Sequence, residues 1–205
     1  MYNDQPRDWV HASVVEAVIS QYTKNECVVM PENPYNLYGV RGVIDIARYA
    51  PTFMSGCHAD FLEVETRLSD VNAVIRKIRE RGLVYPQYLK AARQIELGQV
   101  SSWLVLLATR ENAEVVLTYA NTFATLFGMG TRVPQADGIR YGLCFADPLT
   151  FGGVRALPLL PLMEADTLEE TLGDVCRYND KPDVERALLR WRRGERDLER
   201  PLAHA

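Results

Sequence analysis

The stretch GVRGVIDIARYAPTFMSGCHADFLEVETRLSD, from Gly39 to Asp70, decides the fold that the sequence predicts. It holds two apolar runs with β-branched residues, Gly42–Ala47 and Asp60–Thr66, and a segment that contains proline, serine and glycine lies between them. Runs of this kind predict two adjacent strands that are joined by a hairpin-type loop. Because side chains two apart on a strand share a face, acids from the two strands can reach a common surface.

Three acids are predicted at this surface. Glu63 and Glu65 point the same way from the second strand, while Asp45 lies within the first. The intervening Leu62 and Val64 are predicted to point into the core. Three neighbouring carboxylates repel one another unless a divalent cation or a shared proton neutralises them. Oxygen-rich sites suit Mg²⁺ or Mn²⁺, which can also hold a phosphate, so a metal site is the simpler prediction.

These residues resemble the PD-(D/E)XK, or restriction-endonuclease-like, phosphodiesterases over roughly residues 10 to 110. The pattern of that family is an acid on a first helix, an Asp on a strand and Glu-x-Lys on the next strand, followed by a helix. RGVID (41–45) and FLEVET (61–66) look most like modules that read RGxID followed by hhEVKTxLxDV, and Glu16 falls where the helix acid is expected. The position of the family lysine is Glu65, so an anion replaces the residue that is expected to orient the attacking water.

The resemblance implies a metal-dependent phosphodiesterase, a nuclease that acts on DNA or RNA. Asp45, Glu63 and Glu16 would hold Mg²⁺ or Mn²⁺, and the metal would lower the pKa of the attacking water. Glu65 would take a second ion or act as a general base. Nucleic-acid phosphates would be bound by four cationic side chains: Arg41, Arg67, Lys77 and Arg79.

Loss of the family lysine leaves other functions open. One is a catalytically inactive protein of the same fold that serves as a nucleic-acid-binding or regulatory module. Another is an interaction protein whose acids are solvated charges of a sheet edge. Lys77 and Gln94, on the helices that follow, are the two candidates for a group that replaces the lysine. Cys57 and His58 lack a second Cys/His pair at ligand spacing, which disfavours zinc, and His11 is read as incidental.

The order of predicted elements fits a mixed α/β sandwich layered on a central sheet, and the resemblance implies a restriction-endonuclease-like three-layer α/β/α core with a mixed central sheet. Residues 1–163 form this domain and residues 164–205 a C-terminal helical extension, whose last helix leaves packing or a homodimer contact as its open roles. The predicted helices span 8–22, 69–81, 86–97, 112–127, 167–178 and 183–199. The predicted strands span 26–30, 38–48, 60–66, 101–109 and 138–146.

Composition bounds the remaining properties. At 205 residues with 47% apolar side chains, the chain is long enough for one well-buried α/β domain. A net charge of −4 excludes a general attraction to nucleic acid, so a phosphate-binding surface must be a local patch. Four scattered cysteines and the lack of a basic, apolar leader predict a reduced, cytoplasmic protein. Runs long enough to span a membrane, about 20 apolar residues, are missing from the sequence.

Overall fold

A six-stranded mixed sheet forms the centre of the computed structural model, in which strands follow one another in chain order. The structure describes residues 9–22, 28–37, 39–51, 57–68, 70–93, 97–127, 138–146, 160–161, 170, 172–173, 177 and 180–193. The strands are β1 (Val28–Leu37), β2 (Val40–Pro51), β3 (Cys57–Glu65), β4 (Leu97–Leu107), β5 (Ile139–Ala146) and β6 (Leu160–Pro161). The helices are α1 (Trp9–Tyr22), α2 (Val71–Arg93), α3 (Ala113–Phe127) and α4 (Lys181–Arg192).

The sheet combines an antiparallel and a parallel half. Strands β1, β2 and β3 form an antiparallel meander, which confirms the predicted pairing of the two acid-bearing strands. Strands β3, β4 and β5 are parallel, and α2 and α3 make the connections between them. The short β6 returns antiparallel to β5. The last residues of β3, β4 and β5 therefore share one border of the sheet, which we name the carboxyl edge.

Helices cover both faces of the sheet. On one face, Leu104 and Leu106 of β4 are buried with Phe123 of α3 and with residues of α2. On the other face, Val105 of β4 is buried with Val14 of α1. Burial on both faces explains the nearly continuous apolar run of β4, since neither side of a central parallel strand meets water. The three-layer α/β/α class with a mixed sheet is therefore confirmed.

Helix α4 closes the same layer as α1. Val184 and Leu188 are buried in the cluster that contains α1 and the sheet, whereas Leu189 is exposed. The domain boundary at residue 164 stays a prediction because residues 162–169 lie outside the described ones. The homodimer contact also stays a prediction. Among the described helices, none is both long and apolar enough to cross a membrane.

Strand β1 is longer than predicted, because the sequence predicts a strand over 26–30 and the observed strand ends at Leu37. The strand continues through Pro31 and Pro34 and pairs with β2 as far as Leu37. A proline cannot donate a backbone hydrogen bond, but an edge strand has one side that needs none. Because β1 is the first strand in the sheet order, the prolines do not end it.

Helix α2 is continuous where the sequence predicted two helices that are separated at Gly82. A Cβ atom on Gly82 would lie 3.3 Å from Ile139 Cδ1 and 3.5 Å from Ser102 Cβ. The glycine therefore lets the helix approach β4 and β5 closely, and it is not a stop. The helix also passes through Pro86. Packing on the sheet outweighs the local breaking tendency of both residues.

The start of α2 is capped by Asp70, whereas Ser69, where the predicted helix begins, lies outside the described residues. Asp70 Oδ1 accepts hydrogen bonds from the backbone N–H of Asn72 at 3.0 Å and of Ala73 at 3.3 Å. A carboxylate at this position satisfies free N–H groups and also suits the positive end of the helix dipole. Asp70 therefore fixes where α2 begins, directly after the acidic strand β3.

Candidate functional site

Asp45 lies where β2 and β3 separate at the carboxyl edge. The last pair of these strands joins Ile46 to Leu62, and β3 then continues to Glu65. Beyond this pair, Asp45 Oδ2 accepts a hydrogen bond from the backbone N–H of Val64 at 2.9 Å. The carboxylate thus replaces the missing strand partner and is held in the fork between the two strands.

His11 of α1 completes the fork from the opposite side. Its Nε2 atom lies 3.1 Å from the carbonyl oxygen of Val64 and 3.4 Å from Asp45 Oδ2. The hydrogen bond with Asp45 raises the pKa of His11 against the lowering effect of burial, and the charges of Asp45 and Glu65 raise it further. The reading of His11 as incidental is therefore wrong. Its position three residues before Val14, on the sheet-facing stripe of α1, was the available signal.

Asp45 is stabilised in its charged form. Burial acts to raise the pKa of its carboxyl, but the hydrogen bond and charge of His11, the Val64 N–H and the charge of Lys77 together lower it. A carboxylate with several donors stays ionised well into the acid range. Asp45 is therefore an anion at neutral pH, as a phosphodiesterase or a metal site would require.

Glu63 is held between two cations of α2. The residue is only 3% exposed. Lys77 Nζ contacts its Oε1 atom and Arg81 Nη1 contacts its Oε2 atom. Lys77 Nζ also lies 3.1 Å from Glu65 Oε1. A single amine that contacts both glutamates confirms that they share a face of β3, and the spacing of four residues places Lys77 and Arg81 on one side of the helix.

Side-chain nitrogens from neighbouring helices reach all three acids, where the sequence predicts a divalent ion or a shared proton. His11 contacts Asp45, Lys77 contacts Glu63 and Glu65, and Arg81 contacts Glu63. Pairing of this kind is what buried charges need. Within the described part of the chain, no three His, Cys, Asp or Glu side chains are grouped as a metal would require. The Mg²⁺ or Mn²⁺ site stays a prediction.

A cationic cleft of about 190 Å³ lies beside Glu63, between β1, β2 and α2. Its walls carry four cations and one acid, together with small and aromatic residues: Tyr35, Arg41, Gly42, Ala73, Arg76, Lys77, Glu80 and Arg81. Burial lowers the pKa of the Arg81 guanidinium, while the charge of Asp45 and the hydroxyl of Tyr35 oppose that shift. The lining of the cleft therefore has more cations than acids, and two of these cations, Lys77 and Arg81, also contact Glu63.

The other predicted site residues are distributed unevenly. Arg41 and Lys77 line the cationic cleft, but Arg79 is exposed on α2 and Arg67 lines a different cavity. Glu16 is exposed on α1. Among the described residues, no hydrogen bond or ion pair connects it with Asp45 or with the acids of β3. Its role as a metal ligand stays a prediction without a supporting contact. Arg76, which the sequence places on the basic outer side of α2, also lines the cleft.

His58 belongs to a second polar group, near the start of β3. Its Nε2 atom lies 2.9 Å from Asp60 Oδ1 and its Nδ1 atom 3.1 Å from the side-chain amide of Gln99. Arg48 Nε lies 3.2 Å from Asp60 Oδ2, and the indole N–H of Trp103 donates to Asp60 Oδ1 at 3.3 Å. Both nitrogens of His58 are therefore engaged with polar side chains.

Comparisons with known proteins add little to this geometry. Family models give no match to the sequence, and a search of curated proteins finds none with significant similarity. Among solved structures, the chain is similar to an XisH family protein from Nostoc punctiforme PCC 73102, with a TM-score of 0.35 and 10% sequence identity. The match covers 67% of this chain and 91% of that chain. A likeness of this size carries no argument about family or function, so the PD-(D/E)XK relationship stays a resemblance of short motifs.

Proposed function

We propose that this protein is a nuclease-fold module that binds the phosphodiester backbone of DNA or RNA through the cationic cleft and does not cleave it. The observation that carries the proposal is the clamp on Glu63. Lys77 and Arg81 hold both of its carboxylate oxygens and also line the cleft. The acid thereby positions two cations at a surface where a phosphate can reach them.

The charge of the cleft suits a phosphodiester. Arg41 and Arg76 add two further cations, and Glu80 is the one acid in the lining. Arginine presents a planar group that matches phosphate oxygens, and a charge-assisted hydrogen bond is about twice as strong as a neutral one. Because the whole chain is acidic, with a net charge of −4, attraction to the backbone has to come from a local patch such as this cleft.

The same clamp argues against cleavage. Glu65 stands at the position of the family lysine, and Glu63 is already neutralised by two cations. Mg²⁺ or Mn²⁺ bound to Glu63 would have to displace Lys77 and Arg81, which costs both ion pairs of this buried carboxylate. Asp45 Oδ2 is likewise engaged, with the Val64 N–H and His11. The described geometry thus supports phosphate binding more directly than metal binding.

Binding is tested by fluorescence anisotropy with short labelled single- and double-stranded DNA and RNA. At about 50 mM salt, the wild type is expected to bind at least one of them, and Arg41→Gln and Arg76→Gln are each expected to weaken binding about tenfold. Arg192→Gln, at the exposed end of α4, is the matched control and should change little. The proposal fails if nothing binds, or if Arg76→Gln and Arg192→Gln behave alike.

A metal-dependent phosphodiesterase is the second candidate, and the position of Lys77 favours it. Its amine contacts Glu63 and lies 3.1 Å from Glu65, so α2 supplies an ammonium group close to where the family has a lysine. Carboxylate oxygens of Asp45 and Glu63 are the donors that Mg²⁺ or Mn²⁺ prefers. Such an ion would supply an activated water, while Lys77 would neutralise charge on the phosphate.

Cleavage assays with Mg²⁺ or Mn²⁺ separate the two candidates. A phosphodiesterase would convert at least one of the nucleic acids to shorter products. Asp45→Asn and Lys77→Met would each lower that rate by about 100-fold or more. Asp45→Asn would still bind the substrate, because it removes no cation from the cleft. If the substrates stay intact with either ion and binding depends on Arg76, the phosphodiesterase is excluded and the non-catalytic function is supported.

A further inference from the structure

A group of aromatic side chains lies directly beside the cationic cleft, between α2 and the antiparallel half of the sheet. We name it the aromatic cluster, and its members contact one another: Tyr35, Tyr49, Phe61, Tyr85 and Tyr88. Tyr35 belongs both to this cluster and to the lining of the cleft. The aromatic cluster and the cationic surface are therefore continuous.

Tyr88 is the member of the cluster that reaches the surface. The other four residues are each no more than 7% exposed, whereas Tyr88 is partly exposed. Its ring is stacked with that of Tyr85, with centroids 5.9 Å apart and an angle of 25° between the planes. The Tyr35 ring packs against it at a tilt, with centroids 6.5 Å apart. A partly exposed ring that is stacked on a buried one can accept a further planar ring from a ligand.

The buried rings hold Tyr88 in position. The hydroxyl groups of Tyr85 and Tyr49 lie 2.9 Å apart. The Tyr85 ring also packs edge-on against Phe61, with centroids 4.8 Å apart, and against Tyr35, at 5.7 Å. Tyr85 is thus fixed from three sides, and it supports Tyr88. A ring that is held before the ligand arrives loses little side-chain entropy on binding.

Tyr88 and two cations of the cleft lie along one side of α2. Arg81 precedes Tyr88 by nearly two helical turns, so both side chains leave the helix in a similar direction. Lys77 lies one turn before Arg81 on the same side. Because α2 is continuous through Pro86, Arg81 and Tyr88 are separated by about 10 Å along the helix axis. The helix therefore presents cations first and an aromatic ring next to them.

Acids beside the cleft limit what charge alone can contribute to binding. Lys77 and Arg81 are paired with Glu63, Lys77 also lies close to Glu65, and Glu80 is part of the cleft lining. A contact that does not depend on charge would add to the affinity of this surface. Stacking of a base on an aromatic side chain is such a contact, and it accompanies basic grooves in proteins that bind single strands.

We propose that the cationic cleft and Tyr88 form one site for an unpaired nucleic-acid strand, with phosphates in the cleft and a base stacked on Tyr88. This inference rests on the proposed function, and it names the substrate class as single-stranded nucleic acid. The bases of a duplex are paired and stacked on one another, so they reach such a ring only after they are extruded. An unpaired strand can place a base on Tyr88 while its backbone stays in the cleft.

The wild type is tested by fluorescence anisotropy at about 50 mM salt, in separate DNA and RNA series. Each series compares a short labelled single strand with its duplex and with an abasic strand of the same length. The abasic strand keeps the phosphates and lacks the bases. In at least one series, the single strand is expected to bind about tenfold more tightly than either the duplex or the abasic strand.

Variants of the ring test its contact with the base. Tyr88→Leu should weaken binding of the single strand about tenfold and change binding of the abasic strand less than about twofold, because it removes no cation. Tyr88→Phe keeps the ring and should bind as the wild type does. Leu83→Ala, at a residue of the same helix that is 36% exposed, is the matched control and should change little. Thermal unfolding shows which variants fold, and the comparison of strands with the wild type decides the inference without them.

The inference is overturned if the wild type binds the single strand no more tightly than the abasic strand or the duplex. It is also overturned if folded Tyr88→Leu and Leu83→Ala bind the single strand equally well. In both cases the proposed function stands, provided that Arg76→Gln weakens binding of the abasic strand. If the single strand, the duplex and the abasic strand all fail to bind, the proposed function and this inference fail together.

Discussion

Gly42, in the RGVID segment, packs against the aromatic ring of Tyr35. A Cβ atom on Gly42 would lie 2.5 Å from Tyr35 Oη and 2.6 Å from Tyr35 Cζ. Tyr35 is 4% exposed and forms part of the cationic cleft, where its hydroxyl interacts with Arg81. A glycine is therefore required here, because a larger side chain would clash with Tyr35. Without it, the ring that supports the cleft has to move.

Gly42→Ala tests this relation at the scale of one residue. Overpacking of a well-packed site costs about 1–3 kcal/mol, so the free energy of unfolding in urea should fall by that amount. Binding of nucleic acid should also weaken, because Tyr35 would be displaced beside Arg81. Gly173→Ala is the control, since a Cβ there meets nothing within 4 Å. Equal stability of Gly42→Ala and the wild type would contradict the role assigned to the glycine.

The acids could be predicted from local sequence, but their partners could not. Alternation along β3 was enough to place Glu63 and Glu65 on one face, and Lys77 was already a candidate for the missing lysine. The contact of Arg81 with Glu63 depends on how α2 lies on the sheet, which no local pattern encodes. For the same reason, local sequence predicts Glu16 as the α1 residue at the site, whereas His11 is the residue that reaches Asp45.

At the scale of elements, β3 carries two polar groups at different positions along its length. The acids lie at its end, and His58 with Asp60 lies near its start. The hydrogen bond with Asp60 raises the pKa of His58 above 6.5, although burial opposes the shift. Near neutral pH, the folded protein therefore holds a proton at His58 more firmly than the unfolded chain does.

This difference predicts how stability depends on pH. A raised folded-state pKa stabilises the fold fully below the unfolded value, about pH 6.5, and that stabilisation is lost as the pH rises through the folded value. Urea unfolding of the wild type and of His58→Asn should therefore differ most at about pH 5.5 and least at about pH 8.5. His11→Asn should show the same sign. A difference that does not change with pH would contradict the assigned ion pair.

The order of elements could be predicted from sequence better than their ends. Apolar periodicity was enough to find α3 and β5 within one residue of their observed bounds. Local breaking signals misplaced the bounds of α2 and β1, because Gly82 and Pro86 lie inside α2 and Pro31 and Pro34 lie inside β1. In each case a contact with a distant part of the chain, or an edge position in the sheet, decides whether the signal acts.

For the whole molecule, the distribution of charge matters more than its sum. Acids outnumber Lys and Arg by 27 to 23, so the chain as a whole repels nucleic acid. Four of the cations are gathered in the cationic cleft with a single acid. Attraction over distances longer than the Debye length is therefore weak, and binding has to come from short-range contacts in the cleft.

Salt dependence measures how many of these contacts form. Each neutralised phosphate contributes about −0.7 to −0.9 to the slope of log affinity against log salt, so three or four contacts predict a slope between about −2 and −4. Arg76→Gln should make the slope less steep by nearly one, and Arg192→Gln should leave it unchanged. A slope near zero for the wild type would show that the cationic cleft does not meet phosphates.

The continuity of α2 has a mechanical consequence. The first half of the helix carries Lys77 and Arg81, which contact the acids of β3. The second half carries Tyr85 and Leu89, which are buried against β1, β2 and β3. Because both halves belong to one continuous helix that is packed on the sheet, the ammonium and guanidinium groups are held in place before a ligand arrives. Binding then costs little conformational entropy, and a ligand of the wrong shape binds weakly because the helix does not adjust to it.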